Sequence, residues 1–503
     1  MPIPRRLIAL LFFPLAAQFA LAQSAPADPA GAEKITLSEA IQRALAKNFS
    51  IKVQGFDAAI AAAGVTQALG KFDPVLNGNY TYSSSDNPSL IDTSTGLRNP
   101  AGVVDSDSTS LSLDGLLPWG MTYQLGATST NTRGTFNAYA NNYSTFAGVT
   151  GTQPLLRNFG FGATLATIRI AQANRGIGQW QFQQQVINTV TNVTYAYNEL
   201  NFAYAVLRSA TRSRDLAADL LAENQKRYKV GNVSEYDVTS AASRMASREE
   251  GILFAEQGVR ESENALKQLI TDEKTPAMLG QHIAVESLPP APIVVVDAAA
   301  DFHTALDKRP DYQQARLALS RDDVSSRLAR NQMLPRVDLV GSYGYNGYDT
   351  SLKVSRQQVR DQDYNAYSWG VVVSVPLTFT TERGRYRAAR MQKLASETQL
   401  QQVEQNIVVA VGNAAGRIET AQKRVQATLQ ARKLAQAVLD AEVKRLRAGQ
   451  SSTFFVAQQQ EILSGAEVNE ARAQADYHEA LADYDRQLGV TLEKLNIKLD
   501  APK

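Results

Sequence analysis

Cysteine is absent from the 503 residues, which excludes a disulfide framework, a thiolate metal site and a lipidated amino-terminal Cys. Neither sign of charge dominates. Lys+Arg 51 against Asp+Glu 49 leaves a net charge of +2, so no nucleic-acid partner is expected. Prolines and glycines are few, 18 and 31, and they cluster at 70–160, 271–292 and 335–384, so the stretches between them read as long helices. Catalytic signals are also missing. His282, His303 and His478 lack metal-ligand spacing, and there is no Walker loop or nucleophile elbow. Gly160-Phe161-Gly162 lacks the third glycine of a phosphate fingerprint and reads as a flexible joint, while Asp322-Asp323, with Arg321 and Arg327 nearby, reads as a solvated helix face. No enzyme, cofactor or metal site is expected.

Long apolar runs are confined to the start of the chain. Arg5 and Arg6 precede an apolar run from Leu7 to Leu21 that ends in Ala20-Leu21-Ala22, the pattern of a secretory signal peptide cleaved after Ala22. The run falls short of the roughly 20 residues that a membrane anchor needs. No later stretch approaches the roughly 18 apolar residues of a spanning helix, which leaves a closed β-barrel as the only way for the mature chain to cross a bilayer.

The strongest positive signal is duplication. A constant shift of 261, the difference between Pro335 and Pro74, lays Ala44-Leu45-Ala46-Lys47 on Ala305-Leu306-Asp307-Lys308, Ala68 on Ala329 and Tyr82 on Tyr343. Further along, Val149 to Leu155 resembles Val371 to Leu377, and Lys226 to Gly231 resembles Lys444 to Gly449. Each half reads as helix, strands, very long helix, tight turn, helix. Ile407, Val411, Ala414, Ile418, Ala421 and Val425 step by four and three residues, an a/d seam that predicts coiled-coil packing. At about 1.5 Å per residue the long helices, 162–229 and 383–447, span roughly 100 Å each. The shorter ones, 36–71 with 234–270 and 297–333 with 453–488, match that length when laid end to end.

Between the helices the period changes. Asn79 to Ser83 and Leu111 to Asp114 alternate, and Tyr343, Tyr345 and Tyr348 sit among Gly, Asn and Ser, as in transmembrane barrel strands. The 19 tyrosines against 3 tryptophans suit an aromatic girdle. Asp86 to Asp105 and Asp349 to Asp363 read as flexible outer loops. Ser106 to Asn131, with Leu117-Pro118-Trp119-Gly120 at its centre, reads as an additional hairpin that either widens a barrel or lies at its rim. One chain offers two strands in its second half and two to four in its first, too few to close a barrel, so the membrane reading requires oligomerisation.

The ordered recurrence of these parts resembles the TolC family of outer-membrane efflux proteins over nearly the whole mature chain. The residues that carry it are Thr152-Gln153-Pro154-Leu155-Leu156-Arg157 with its counterpart Val375-Pro376-Leu377, and the turns at Gly231 and Gly449, above all Arg227 to Val238. The resemblance implies a mainly α fold with membrane β structure: a homotrimer whose four strands per protomer make a twelve-stranded barrel, continued by a helical periplasmic tunnel closed at its inner end. It implies docking to a periplasmic adaptor (membrane fusion) protein joined to an inner-membrane RND or ABC transporter, with outer-membrane lipid around the barrel. The function implied is a passive outer-membrane exit channel of a tripartite efflux pump or type I secretion system. The expected organisation is a signal peptide 1–22, a first repeat 23–270, a Pro-containing linker 271–296, a second repeat 297–490 and a tail 491–503. The competing reading is a periplasmic coiled-coil scaffold or adaptor without a membrane barrel.

The site expected on this basis has three parts. Val230, Gly231 and Asn232, and Ala448, Gly449 and Gln450, form the tip turns, where Gly accepts φ > 0 and Ser234, with Ser451 and Ser452 in the second turn, caps the next helix. Pro154 and Pro376 mark strand exits. The family's aspartate pair falls here on Phe455 and Gln458, and Ser451 replaces its Arg, so an ionic lock to Asp237 is absent and Phe455 is the candidate constriction.

Overall fold

The computed structural model describes residues 33–88, 96, 102–286, 292–294 and 297–499. The expected signal peptide, most of the loop between Asp86 and Asp105, part of the linker and the last four residues lie outside the described residues.

The first repeat runs β1 (Glu33–Ile35), α1 (Leu37–Lys47), α2 (Phe49–Leu69), β2 (Val75–Asn87), β3 (Gly102–Leu116), β4 (Thr122–Gly134), β5 (Tyr143–Pro154), α3 (Gly160–Thr164), α4 (Ala166–Lys229), α5 (Glu235–Ile270) and β6 (Ile283–Val285). The second runs α6 (Ala298–Lys308), α7 (Pro310–Gln332), β7 (Arg336–Asp349), α8 (Leu352–Arg360), β8 (Tyr364–Ser374), α9 (Thr380–Arg447), α10 (Thr453–Leu488) and α11 (Thr491–Lys494). β1 and β6 pair in parallel, and the other six strands form one antiparallel sheet in the order β2-β3-β4-β5-β7-β8.

The helix expected over 36–71 is two helices, and so is the one over 297–333. Both breaks fall at the same place in the duplication, but by different chemistry. Asn48 leaves the helical region and its side chain accepts from the N–H groups of Ser50 (2.9 Å) and Ile51 (3.3 Å), while α7 begins at Pro310, which has no N–H to leave unpaired.

Two clusters hold the helices together. Val186, Ile187, Val190, Val193 and Leu200 of α4 are buried against Ile41 and Ala44 of α1, Ile51 of α2 and Val259, Leu266 and Ile270 of α5. In the second repeat the seam residues Ile407, Val411, Ala414 and Ile418 are buried against Tyr477, Tyr484 and Leu488 of α10, with Ala421 and Val425 partly buried beside them. Each such aliphatic side chain contributes about 1.5–3 kcal/mol on burial. An ion-pair ladder reinforces the second cluster: Arg417, Arg424 and Arg432 of α9 reach Asp483 (3.1 Å), Asp476 and Glu470 of α10. Asp322 is not on a solvated face. It is buried between α7 and α9, held by Arg321 Nε (2.8 Å) and Ser396 Oγ (2.6 Å), and although burial raises its pKa those bonds outweigh it and bring the pKa down.

The two repeats are joined asymmetrically. Helix α4 packs on α2 and α5 of its own repeat and also on α7 and α10 of the other, whereas among the described residues the main partners of α9 are α6, α7 and α10 of its own repeat.

Candidate channel wall and tip turns

The six-stranded sheet is sorted by face. Its register runs one continuous row across all strands, Leu76, Leu113, Leu125, Val149, Tyr343 and Tyr367, and the next row on that face reads Gly78, Leu111, Ala127, Ala147, Tyr345 and Asn365. The rows on the opposite face are Asn77, Ser112, Gly126, Gly148, Gly344, Ala366 and Asn79, Ser110, Thr128, Phe146, Asn346, Tyr364. Because side chains alternate along a strand, these rows make one face apolar and aromatic and the other dominated by Ser, Thr, Asn and Gly, while farther from the helices the first face turns polar at Asp107, Asn131, Arg133 and Asp349. The expected additional hairpin is β3–β4, longer at both ends than 106–131, and it lies in the middle of the sheet. The chain therefore supplies six strands to one sheet, not the four that the resemblance implied. The family pattern omits this hairpin, and its own alternation is what admits it.

The strand ends differ. At the helical end, β3 and β4 join through a turn in which Gly120, at φ +99, donates to Leu117 O (2.8 Å), and Gly160 N donates to Trp119 O (3.0 Å). A Cβ on Gly120 would stand 2.6 Å from the Asn158 carbonyl oxygen, so glycine alone permits this turn to rest on the start of the helical part. Gly160 (φ +81) opens α3, an ordered junction where a flexible joint was expected. Pro154 is the last residue of β5 and stands opposite Asp338, while Pro376 lies past the end of β8. At the far end, the segment 349–363 is not an irregular loop: it holds α8, whose buried Ser355 hydroxyl lies in hydrogen-bond range of both Gly347 O (3.0 Å), which accepts, and the Thr145 hydroxyl (2.8 Å). Tight packing on Gly347, where a Cβ would meet Ser355 O, orders the segment.

The two tip turns share one geometry. Gly231 N donates to Tyr228 O (2.9 Å) and Asn232 N to Arg227 O (2.9 Å), and Gly449 N donates to Leu446 O (3.1 Å) and Gln450 N to Arg445 O (2.9 Å). These are paired Schellman closures behind Val230 and Ala448, with both glycines left-handed at φ +77 and +72. The caps that follow are not alike. Ser234 accepts from Asp237 N (3.3 Å) while Asp237 Oδ2 accepts from Ser234 N (3.0 Å) and Oγ (2.7 Å), a reciprocal capping box that lowers the Asp237 pKa through those Ser234 bonds. Ser452 makes no side-chain cap bond, contrary to expectation, and Phe455, the third residue of α10, has no acceptor for the reciprocal bond; Ser451 Oγ turns back to Glu442 of α9.

Near the tip, Phe455 is 51% exposed and stacks edge-on against Phe454 (5.6 Å), which lies under the Arg244 guanidinium (5.3 Å). Gln458 lines a cavity of about 440 Å³ between α4, α5 and α10, together with Ser213, Arg244 and Glu461. Asp237 stays with its cap. The sequence reading missed a charged cluster higher up, where Arg472 of α10 reaches Glu199 of α4 (2.7 Å) and Asp476 (2.6 Å). Burial, with the Glu199 charge adding to it, pushes Glu479 up to about 7. Only the i, i+4 and i+7 spacing of Arg472, Asp476 and Glu479 could have signalled it. Among the described residues no group of His, Asp and Glu could hold a metal ion, and no helix is long and apolar enough to cross a membrane.

Residues 40–271 and 302–490 match the family model described as outer membrane efflux protein. No curated protein matches the chain. Among solved structures, the CmeC outer membrane channel of Campylobacter jejuni is similar with a TM-score of 0.66 at 15% identity, over 90% of this chain and 86% of that one. The outer membrane protein VceC of Vibrio cholerae is similar with a TM-score of 0.66 at 17% identity, over 90% and 96%. The open state of the MtrE outer membrane channel of Neisseria gonorrhoeae gives 0.61 at 17% identity, over 91% and 89%. At these identities the likeness is one of fold.

Proposed function

This chain belongs to the outer membrane efflux protein family, and we propose that three copies of it close head to tail into a passive exit duct, barrel in the outer membrane and helices in the periplasm. The observation that carries the ring is a pair of unmatched surfaces on opposite sides of the chain. On one side α2 exposes the stripe Val53, Phe56 and Ile60 (59%, 68% and 69%) beside Leu253 and Phe254 of α5 and the open edge β2. On the other, α9 exposes Met391, Val408, Val409, Leu434 and Val438 beside the open edge β8. Within the chain α4 already packs on one α2–α5 pair, so the duplication supports α9 of one copy taking α2 and α5 of the next. Such a heterologous contact makes a ring if its rotation closes. The same closure joins the two sheet edges, whose unpaired N–H and C=O groups cannot face lipid.

In this assembly the apolar wall contacts outer-membrane lipid and the Ser/Thr/Asn wall lines the lumen. The leader ending at Ala22 is removed on export. The Schellman turns at Gly231 and Gly449 form the periplasmic tip that meets an adaptor protein joined to an inner-membrane RND or ABC transporter, and Phe455 narrows the opening there. Energy enters from that partner, since transport through a hydrated duct needs none of its own.

Expression of the full chain in a Gram-negative host tests this. Detergent-dependent extraction with outer membranes, oligomers that dissociate on heating and ion conductance in planar bilayers are expected. Release of a lone soluble chain into the periplasm overturns the reading in favour of a scaffold.

A further inference from the structure

We infer that the assembled barrel has eighteen strands, six from each chain, because the β3–β4 hairpin is a full segment of its lipid-facing wall. The inference rests on the channel reading above and concerns how wide the membrane portion is. Three observations carry it. First, β3 is hydrogen-bonded to β2 along all thirteen residues of that strand and to β4 over Val104–Leu116, and β4 continues into β5, so the hairpin cannot leave the sheet without breaking two ladders. Second, over the half of its length nearer the helices its side chains follow the sorting of the neighbouring strands, and farther out its Asp107 and Asn131 lie level with Tyr143 and Asp349 of the strands beside it. Leu111, Leu113, Leu125 and Ala127 fall in the same rows as Val149, Ala147, Tyr343 and Tyr345, while Ser110, Ser112, Gly126 and Thr128 face the polar side. A hairpin folded over the rim would have no reason to keep an apolar stripe at the height of its neighbours' stripe. Third, the turn Leu117–Gly120 is anchored on Gly160 and against the Asn158 carbonyl at the helical end, where barrel proteins place their short turns.

The width that follows suits the helical part. Each chain offers four helical columns: α4, α9, and the stacked pairs α2 with α5 and α7 with α10. Twelve columns spaced at about 9–10 Å close at a radius of roughly 17–19 Å. Eighteen strands at about 4.8 Å spacing and a tilt near 40° close at roughly 18 Å, against roughly 12 Å for twelve strands. At that tilt the eighteen-stranded wall and the ring of twelve columns have similar radii.

Single-cysteine variants of a chain that has no cysteine of its own make the test direct. Leu113→Cys and Leu125→Cys report on the hairpin, and Val149→Cys, in the same register row, reports on the wall that any barrel would contain. Each is labelled with an environment-sensitive fluorophore in the full-length protein reconstituted into vesicles, and quenched either by brominated acyl chains or by aqueous iodide. Eighteen strands predict acyl-chain quenching at 113 and 125 equal to that at 149. Acyl-chain quenching at 149 with iodide quenching at 113 and 125 overturns the inference and leaves the channel intact. Iodide quenching at all three overturns the barrel itself. Imaging of the reconstituted oligomer that counts twelve strands would also overturn the inference.

Discussion

Helices α4 and α9 hold equivalent places in the two repeats and differ little in length, 64 and 68 residues, yet eighteen positions of α4 are buried and only six of α9. The difference is not one of composition alone. Both carry a seam against their own repeat, but α4 is also covered by α7 and α10 of the second repeat, and among the described residues no helix of the first repeat packs comparably on α9. A duplicated chain that covers one of its two equivalent helices has left the other for a neighbour, so the inside of the protomer and the interface of the ring are two copies of one packing solution.

The comparison is broken most severely from the α4 side. Leu200→Ala removes a fully buried side chain and is expected to cost about 2–5 kcal/mol in urea unfolding of the detergent-solubilised protein, whereas Leu434→Ala, 66% exposed on α9, changes the unfolding of the dissociated chain by less than about 0.5 kcal/mol. Equal losses would show that α9 is packed within its own chain.

The α4–α10 contact can be sharpened by pH. A carboxyl whose folded pKa lies above its ordinary 4.5 holds its proton more tightly in the fold, so Glu479, at about 7, costs stability as pH rises through that window. Glu479→Gln is expected to raise the melting temperature at pH 8 and leave it nearly unchanged at pH 4; the same gain at both pH values would assign the effect to packing.

The two tip turns give a smaller contrast. Ser234→Ala loses the reciprocal cap and is expected to cost about 0.5–2 kcal/mol, while Ser452→Ala, which loses no cap bond, is expected to be nearly silent in thermal unfolding. Smallest in stability is Phe455→Ala, half-exposed at the tip, whose effect is expected in planar bilayers as a higher open probability. An unchanged open probability would remove Phe455 from the aperture.

Much of this was legible in the chain itself. The seam from Ile407 to Ile418 is buried where its spacing placed it, because helical period is a local property that packing only has to accept. The strand pattern of Leu111 to Asp114 was equally plain, but whether the hairpin joined the sheet depended on its outer edges pairing with β2 and β5, which alternation within the hairpin does not fix, and the family pattern argued for four strands. The helix α8 was hidden because its order comes from Ser355 against Gly347 and Thr145, a contact that a polar sequence does not advertise. The second cap looked like the first since Ser follows Gly in both, but only the first has a reciprocal acceptor three residues on, Asp237, where the second has Phe455.

Head-to-tail closure is tested most directly by mixing two broken chains and measuring native mass in detergent. Phe56→Asp/Ile60→Asp spoils the α2 face and Val408→Asp/Val409→Asp spoils the α9 face, so each alone is expected to remain monomeric while the wild type forms trimers. Together they retain one good contact, the α9 face of the first chain against the α2 face of the second, and the account predicts a mixed dimer that goes no further. Trimers from either variant alone, or a dimer of identical chains joined through like faces, would contradict it.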